Sequence, residues 1–294
     1  MNKIVKIGIL KAGCIGSLPL IEFLLDERAD REDIQVKVIG SGAKVTTEQC
    51  VNSAEQILKY DVDLIIFIGP AQTTQGPSEA RKILRASNKP VIIVSDSPAK
   101  RIIKELDESG FGYIIVEADS MIGARREFLD PTEMALYNSD VIKVLAVTGA
   151  LNVIFEEIDK VINAIKSGGK MILPKLILDS KKAVEAARFS NPYAKAKAMA
   201  AYELAKQVSA ITFEACFKVQ EPDLYIPLVA TAHEIMRAAA RLADEAREIE
   251  KGGDSVFRRP HFKDGLLGEK RRLMEKPQKV ADQNNIQLTE DKQI

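Results

Sequence analysis

The stretch VKIGILKAGCIGSLPLIEFLLDE, residues 5–27, decides the fold. Residues 5–10 form a nearly unbroken apolar run, as in a strand covered on both faces. From Ser17 the apolar residues Leu18, Ile21, Leu24 and Leu25 recur every three or four places, the spacing of an amphipathic helix. Strand, glycine turn and helix in that order open a βαβ unit. A dinucleotide fingerprint would put glycines at 11, 13 and 16. Here the residues are Lys11, Gly13 and Gly16.

The same alternation continues to residue 116. Runs 34–39, 64–68, 91–95 and 113–116 are rich in Val, Ile and Leu, and helical patterns at 47–60, 78–86 and 99–108 lie between them. Together these predict an α/β fold, an open doubly wound parallel sheet. Beyond residue 120 helices dominate. Asp130-Pro131 with Glu133 reads as an N-cap, first position and capping box, and Asn191-Pro192 repeats the device ahead of an alanine-rich helix, 194–208. In 228–249, Leu228, Ile235, Leu242 and Ile249 stand seven apart with Ala232, Ala239 and Ala246 between them, a seam for a close helix neighbour. The alternating 211–219 reads as a strand, and Asp264-Gly265 as the tight turn of a small antiparallel piece within 256–273. The expected division is an α/β cofactor-binding domain at 1–125, a helical bundle with a short strand at 126–255, and a small β segment with a polar tail at 256–294.

Forty-two basic residues balance 42 acidic ones, so no net field favours nucleic acid or an anionic membrane. The opening apolar segment is too short for a signal peptide. The apolar segment 144–155 falls short of the roughly 20 residues that span a bilayer. Cys14, Cys50 and Cys216 are widely spaced, without the close pair of a zinc or redox site. A soluble chain in a reducing cytoplasm is expected.

Ligands of open α/β sheets bind beyond the carboxyl ends of the strands. Four loops rich in glycine, proline and hydroxyl residues reach that rim, 11–17, 40–44, 69–78 and 96–100, and their amides and helix N-termini suit an anion. No acid follows the second strand, where Gly40 to Lys44 stand, so NAD is disfavoured; NADP stays open because Lys44 could meet its 2′-phosphate. His233-Glu234 resembles the start of a zinc-protease motif, but Arg237 replaces its second histidine, and no metal is expected. Cys14 lies where a helix dipole favours thiolate, but with no histidine nearby in the sequence a small buried thiol is the better reading. With two histidines in the chain, a Ser-His-Asp engine is disfavoured.

The strings DSMIGARREFLDPTEMALYNSDVIKVLA (119–146), LLDERADRED (24–33), GPSEAR (76–81), NPYAKAKAMAA (191–201) and ATAHEIMRAAARLADEARE (230–248) carry a resemblance. The chain is similar to the deazaflavin (coenzyme F-420)-dependent methylenetetrahydromethanopterin dehydrogenases of methanogenic and related archaea, in order to about Lys279. The resemblance implies an oxidoreductase that reversibly moves a hydride from methylenetetrahydromethanopterin to the oxidised 8-hydroxy-5-deazaflavin, with no metal. The carbon losing hydride lies between two nitrogens that delocalise the resulting cation. The protein's task would be to hold two rings at roughly 3 to 3.5 Å, aligned and dry, with no catalytic acid–base residue. On that basis Gly13, Cys14, Gly16, Gly69, Pro70, Asp96 and Ser97 are expected to hold the coenzyme, and Asp119, Met121, Gly123, Arg125, Arg126 and Glu127 the pterin. A homo-oligomer, a hexamer built as a trimer of dimers, is implied as well. The competing readings are an NADP-linked dehydrogenase and a non-catalytic anion-binding oligomer.

Overall fold

The computed structural model describes residues 3–25, 31–122, 130–256 and 261–279. Six parallel strands make one sheet: β1 (Val5–Lys11), β2 (Ile34–Gly40), β3 (Leu64–Ile68), β4 (Val91–Asp96), β5 (Gly112–Val116) and β6 (Lys175–Leu178), in the order β2-β1-β3-β4-β5-β6. The central strands β3, β4 and β5 are buried along their whole length, which is why their sequences read as continuous apolar runs.

Helices cover both faces. On one lie α2 (Thr47–Leu58), α3 (Gln75–Ala86) and α4 (Ile103–Glu108), the last entered through a 3-10 turn, Ser97–Ile102. On the other lie α1 (Ser17–Leu25), α5 (Pro131–Thr148) and α6 (Ala150–Ser167). Short α7 (Ser180–Ala187) follows β6, and a long hairpin, α8 (Pro192–Phe217) and α9 (Pro222–Gly252), packs over α5. The expected helix at 17–27 is described to Leu25; its last two positions, and the polar tail 280–294, lie outside the described residues.

Local signals hold where their cause is local. Asp130 caps α5 by accepting from the Glu133 amide at 2.8 Å, and Asn191 caps α8 by accepting from Tyr193 at 2.8 Å. Glu133 does not reach back to close a capping box; its carboxylate takes Arg237 of α9 at 3.0 Å. Gly149, at φ 99°, breaks α5 from α6, and a Cβ there would overlap the Ala183 carbonyl.

Two expectations are corrected. Residues 211–217 are helix, not strand: Val208, Ser209, Thr212 and Ala215 are buried in α8 at helical spacing, and the alternation of Ile211, Phe213 and Phe217 yields to packing along the hairpin. The short strand of this half is β6, which adds to the edge of the sheet beside β5. In the C-terminal segment Gly265, at φ 80°, makes the expected turn, but the antiparallel pairing is limited to the bridges His261 to Leu267 and Gly268 to Lys279 among the described residues. His261 is buried there against Asp159, 2.7 Å away.

The small-residue seam of α9 is used inside the chain: Ala232, Ala239 and Ala246 are buried, and α8 lies alongside. Leu at position 239 has no room. Ala239→Leu is expected to cost about 1 to 3 kcal/mol by urea denaturation; unchanged stability would put that face in solvent.

Candidate active site

The strand order reverses between β1 and β3, and the crevice beyond their carboxyl ends is where such sheets bind ligands. Spacing at this point is set by two glycines. A Cβ on Gly69 would overlap the Ala12 carbonyl, and one on Gly16 would overlap Val141 of α5 and sit 2.9 Å from Asp119. Gly13 turns the chain at φ 70°, wedged between Val45 and Pro70. Ala71, fully buried, also takes a left-handed conformation, φ 56°, a strained backbone held by its loop.

Lys11, standing where a dinucleotide fold has its first glycine, is the last residue of β1 and pairs in register with Gly40. Its side chain crosses Gly40, where an added Cβ would lie 2.9 Å from the Lys11 Cβ, and its ammonium meets Glu22 at 3.2 Å. The turn is therefore built for a lysine.

Asp119 organises the rim. Fully buried, it accepts from the Gly16 amide at 2.7 Å, the Ser17 amide at 2.9 Å, the Ser17 hydroxyl and the Ser120 amide at 2.8 Å. The N-terminus of α1 is thus occupied by a carboxylate of the protein's own. The Gly16 and Ser17 amides are thereby committed to Asp119, and the Gly13 amide meets the Ser41 hydroxyl at 3.3 Å. The start of α3 differs. Its N-cap, Thr74, makes no side-chain cap, its hydroxyl donating instead to Ala71, and among the described residues the Gln75 and Gly76 amides donate to nothing. Arg81, buried, braces this loop through the Gln72 carbonyl at 2.6 Å and the Gln72 side chain at 3.0 Å, and pairs with Glu105.

Asp96 ends β4 almost wholly buried, with the Ser95 hydroxyl 3.3 Å away. Burial, then the nearby Asp119 charge, pushes its carboxyl up to about 7. Burial also raises Asp119, to about 6, against the pull of its four donors. Cys14 is half-buried, and burial raises its thiol, so the thiolate expected from the helix dipole is not favoured. Ser97, half-buried, opens the 3-10 turn.

Met121, half-buried, follows on the Asp119 loop and reaches the rim through an antiparallel bridge to Ile15. Gly123, Arg125, Arg126 and Glu127 lie outside the described residues. Behind the loop the Ser120 hydroxyl meets Tyr137 at 2.9 Å, and the Tyr137 ring stacks on His233 of α9 at 3.9 Å. His233 is thus buried against an aromatic ring and 3.6 Å from Glu133. Sequence reasoning brought Gly13, Gly69, Pro70, Asp96 and Asp119 to one edge. It missed Arg81, whose signal was a lone cation on the apolar side of α3.

Comparison with known proteins bears on this rim. The family model of methylene-5,6,7,8-tetrahydromethanopterin dehydrogenase matches residues 5–278. F-420-dependent methylenetetrahydromethanopterin dehydrogenases from Archaeoglobus fulgidus and Methanothermobacter marburgensis are 57% and 54% identical over 275 residues, 94% of this chain and all of theirs. A solved structure of an F-420-dependent methylenetetrahydromethanopterin dehydrogenase, in complex with methylenetetrahydromethanopterin and coenzyme F-420, superposes with a TM-score of 0.88 at 44% identity. It covers 94% of this chain and all of its own.

Two stability predictions follow from the acids. Asp119→Ala leaves three buried amides without an acceptor and should cost at least about 2 kcal/mol; a smaller loss in denaturant titration would mean that α1 is anchored elsewhere. For Asp96 the folded state holds a proton that the unfolded chain releases near pH 4, so its contribution to stability falls as pH rises from about 4 to 7. Asp96→Asn should therefore gain in melting temperature relative to the parent between pH 5 and 8. A constant difference would mean that Asp96 is ionised throughout.

Proposed function

The chain belongs to the methylene-5,6,7,8-tetrahydromethanopterin dehydrogenase family, and we propose from that premise how its sheet rim carries out the reaction. The enzyme is an F-420-dependent oxidoreductase: a hydride passes reversibly from methylenetetrahydromethanopterin to the oxidised deazaflavin, giving the methenyl pterin and reduced coenzyme. The observation that carries this activity is the match across residues 5–278, which includes every loop of the rim.

The residues at the rim fit an anionic, flat coenzyme. The unspent amides at the start of α3 and the open backbone of Gly42, where an added Cβ would touch nothing within 4 Å, offer room and donors for a phosphodiester. We assign the coenzyme's phosphate to this loop rather than to α1. Gly13, Cys14, Pro70, Asp96 and Ser97 then border its ring system. Gly16 and Gly69 act by letting backbone and α5 close in, and Asp119 acts by fixing α1. The pterin lies on the Met121 side, with Gly123, Arg125, Arg126 and Glu127 as its further contacts.

The contribution of the side chains is placement and exclusion of water, with no acid–base step at the reacting carbon. Asp96 is buried, has one hydroxyl partner and has its carboxyl pushed up to about 7, so its neutral acid is populated near neutral pH; this supports a role as a hydrogen-bonding wall beside the ring. No helix among the described residues is long and apolar enough to cross a membrane, in keeping with a cytoplasmic location. The resemblance further implies a homo-hexamer, built as a trimer of dimers. Its mass by light scattering tests that assembly.

On mixing with methylenetetrahydromethanopterin, oxidised F-420 should lose its visible absorbance while NADP gains none. Reduction of NADP instead would overturn the coenzyme assignment. Asp96→Asn should raise the KM for the coenzyme and keep kcat within tenfold of the parent, with a flat kcat profile from pH 5.5 to 8.5. Since a general acid or base contributes about 10²- to 10⁴-fold, a hundredfold fall in kcat would make Asp96 a proton donor.

A further inference from the structure

Behind the Asp119 loop lies a pair of buried hydroxyls that no step of the transfer uses. Tyr137 of α5 and Ser120 of the loop are both buried, and their oxygens meet at 2.9 Å. In so dry a place each hydroxyl needs a partner, and each holds the other to one position. Burial pushes the Tyr137 phenol above its ordinary range, so it stays neutral and keeps its hydrogen. The ring is fixed in turn: it stacks on His233 of α9, with centroids 3.9 Å apart and planes within 10° of parallel. His233 itself stands 3.6 Å from Glu133, the acid that takes Arg237.

Ser120 sits between the two residues that shape this side of the crevice. Before it, Asp119 anchors the start of α1 through the Gly16 and Ser17 amides. After it, Met121 bridges to Ile15, and the Ile122 amide donates to the Cys14 carbonyl at 3.1 Å. Those contacts tie the loop to the turn between β1 and α1. The Ser120 hydroxyl ties the same loop to α5, and through the stack on His233 to α9. A short segment held from two sides has little freedom left, so the place of Met121 over the rim depends on the Tyr137 oxygen.

We propose that Tyr137 is a positioning residue for the pterin: through Ser120 it holds the Met121 loop at the depth the pterin requires, while touching neither reactant. This rests on the assignment of the pterin to the Met121 side of the rim. The start of α3, to which the coenzyme's phosphate is assigned, takes no part in this chain of contacts, so coenzyme affinity should not follow it.

Steady-state kinetics of the full-length enzyme, with each substrate varied while the other is saturating, tests this. Tyr137→Phe keeps the ring and its stack and removes the oxygen alone. The KM for methylenetetrahydromethanopterin should rise at least about fivefold, the equivalent of one net hydrogen bond, while that for F-420 stays within about twofold. Ser120→Ala breaks the same bond from its smaller end; it should give the same split, and it decides alone if Tyr137→Phe does not fold. The double variant should be no worse than the more affected single one, because both substitutions remove one interaction. A lower melting temperature with both KM values unchanged would make the bond a structural one and overturn the proposal, as would effects that multiply in the double variant or KM values that rise together. A rise in the KM for F-420 alone would put the Met121 loop on the coenzyme's side, and would overturn the pterin assignment along with the proposal while leaving the activity of the parent enzyme as it stands.

Discussion

The Asp119 carboxylate at the start of α1 is the constraint on which the rim depends. From the loop after β5, it reaches back 102 residues to take the amide and hydroxyl of Ser17, and it takes the Gly16 amide as well. This closes the side of the crevice on which α5 lies, since Gly16 is also where α5 comes closest. In a dinucleotide-binding sheet a ligand phosphate satisfies those same amides. Here the protein supplies the anion, and the ligand's charge has to find donors elsewhere. The beginning of α3, with its amides uncommitted, is the place the chain leaves open.

That substitution also shapes the electrostatics. A carboxylate in that dry corner repels any second one, and Asp96 at the neighbouring strand end feels it, on top of its own burial. The Asp96 carboxyl is thereby pushed up to about 7, so that its neutral acid forms near neutral pH. A neutral carboxyl can donate a hydrogen bond to a ring edge without placing negative charge beside it. Hydride chemistry between two heterocycles asks chiefly for orientation and dryness. Buried acids, packed glycines and the left-handed Ala71 make a stiff wall at the rim.

Much of this was legible from the sequence because its causes are local or periodic. The five first strands announced themselves as apolar runs, since helices cover both faces, and Asp130 and Asn191 were recognisable as caps because an N-cap acts within three residues. What was hidden depends on distance along the chain or on competition. β6 has only four residues, too few to give a period, and its identity comes from pairing with β5. Residues 211–217 carry a strand-like alternation that loses to packing along the α8–α9 hairpin. The lack of a side chain at Gly16 admits α5, a neighbour more than a hundred residues away. Nothing near Asp119 in the sequence says that its partners are Gly16 and Ser17.

The central claim is that the rim aligns two heterocycles so that hydrogen moves between them directly, with no side chain relaying it. Transfer of label from methylenetetrahydromethanopterin deuterated at its methylene carbon, followed by mass spectrometry of the reduced coenzyme, tests this most directly. Direct placement predicts that the deuterium leaving the pterin arrives on the coenzyme without loss to solvent. Wash-out of the label into water would mean that an exchangeable group on the protein carries the hydrogen, and would contradict the account.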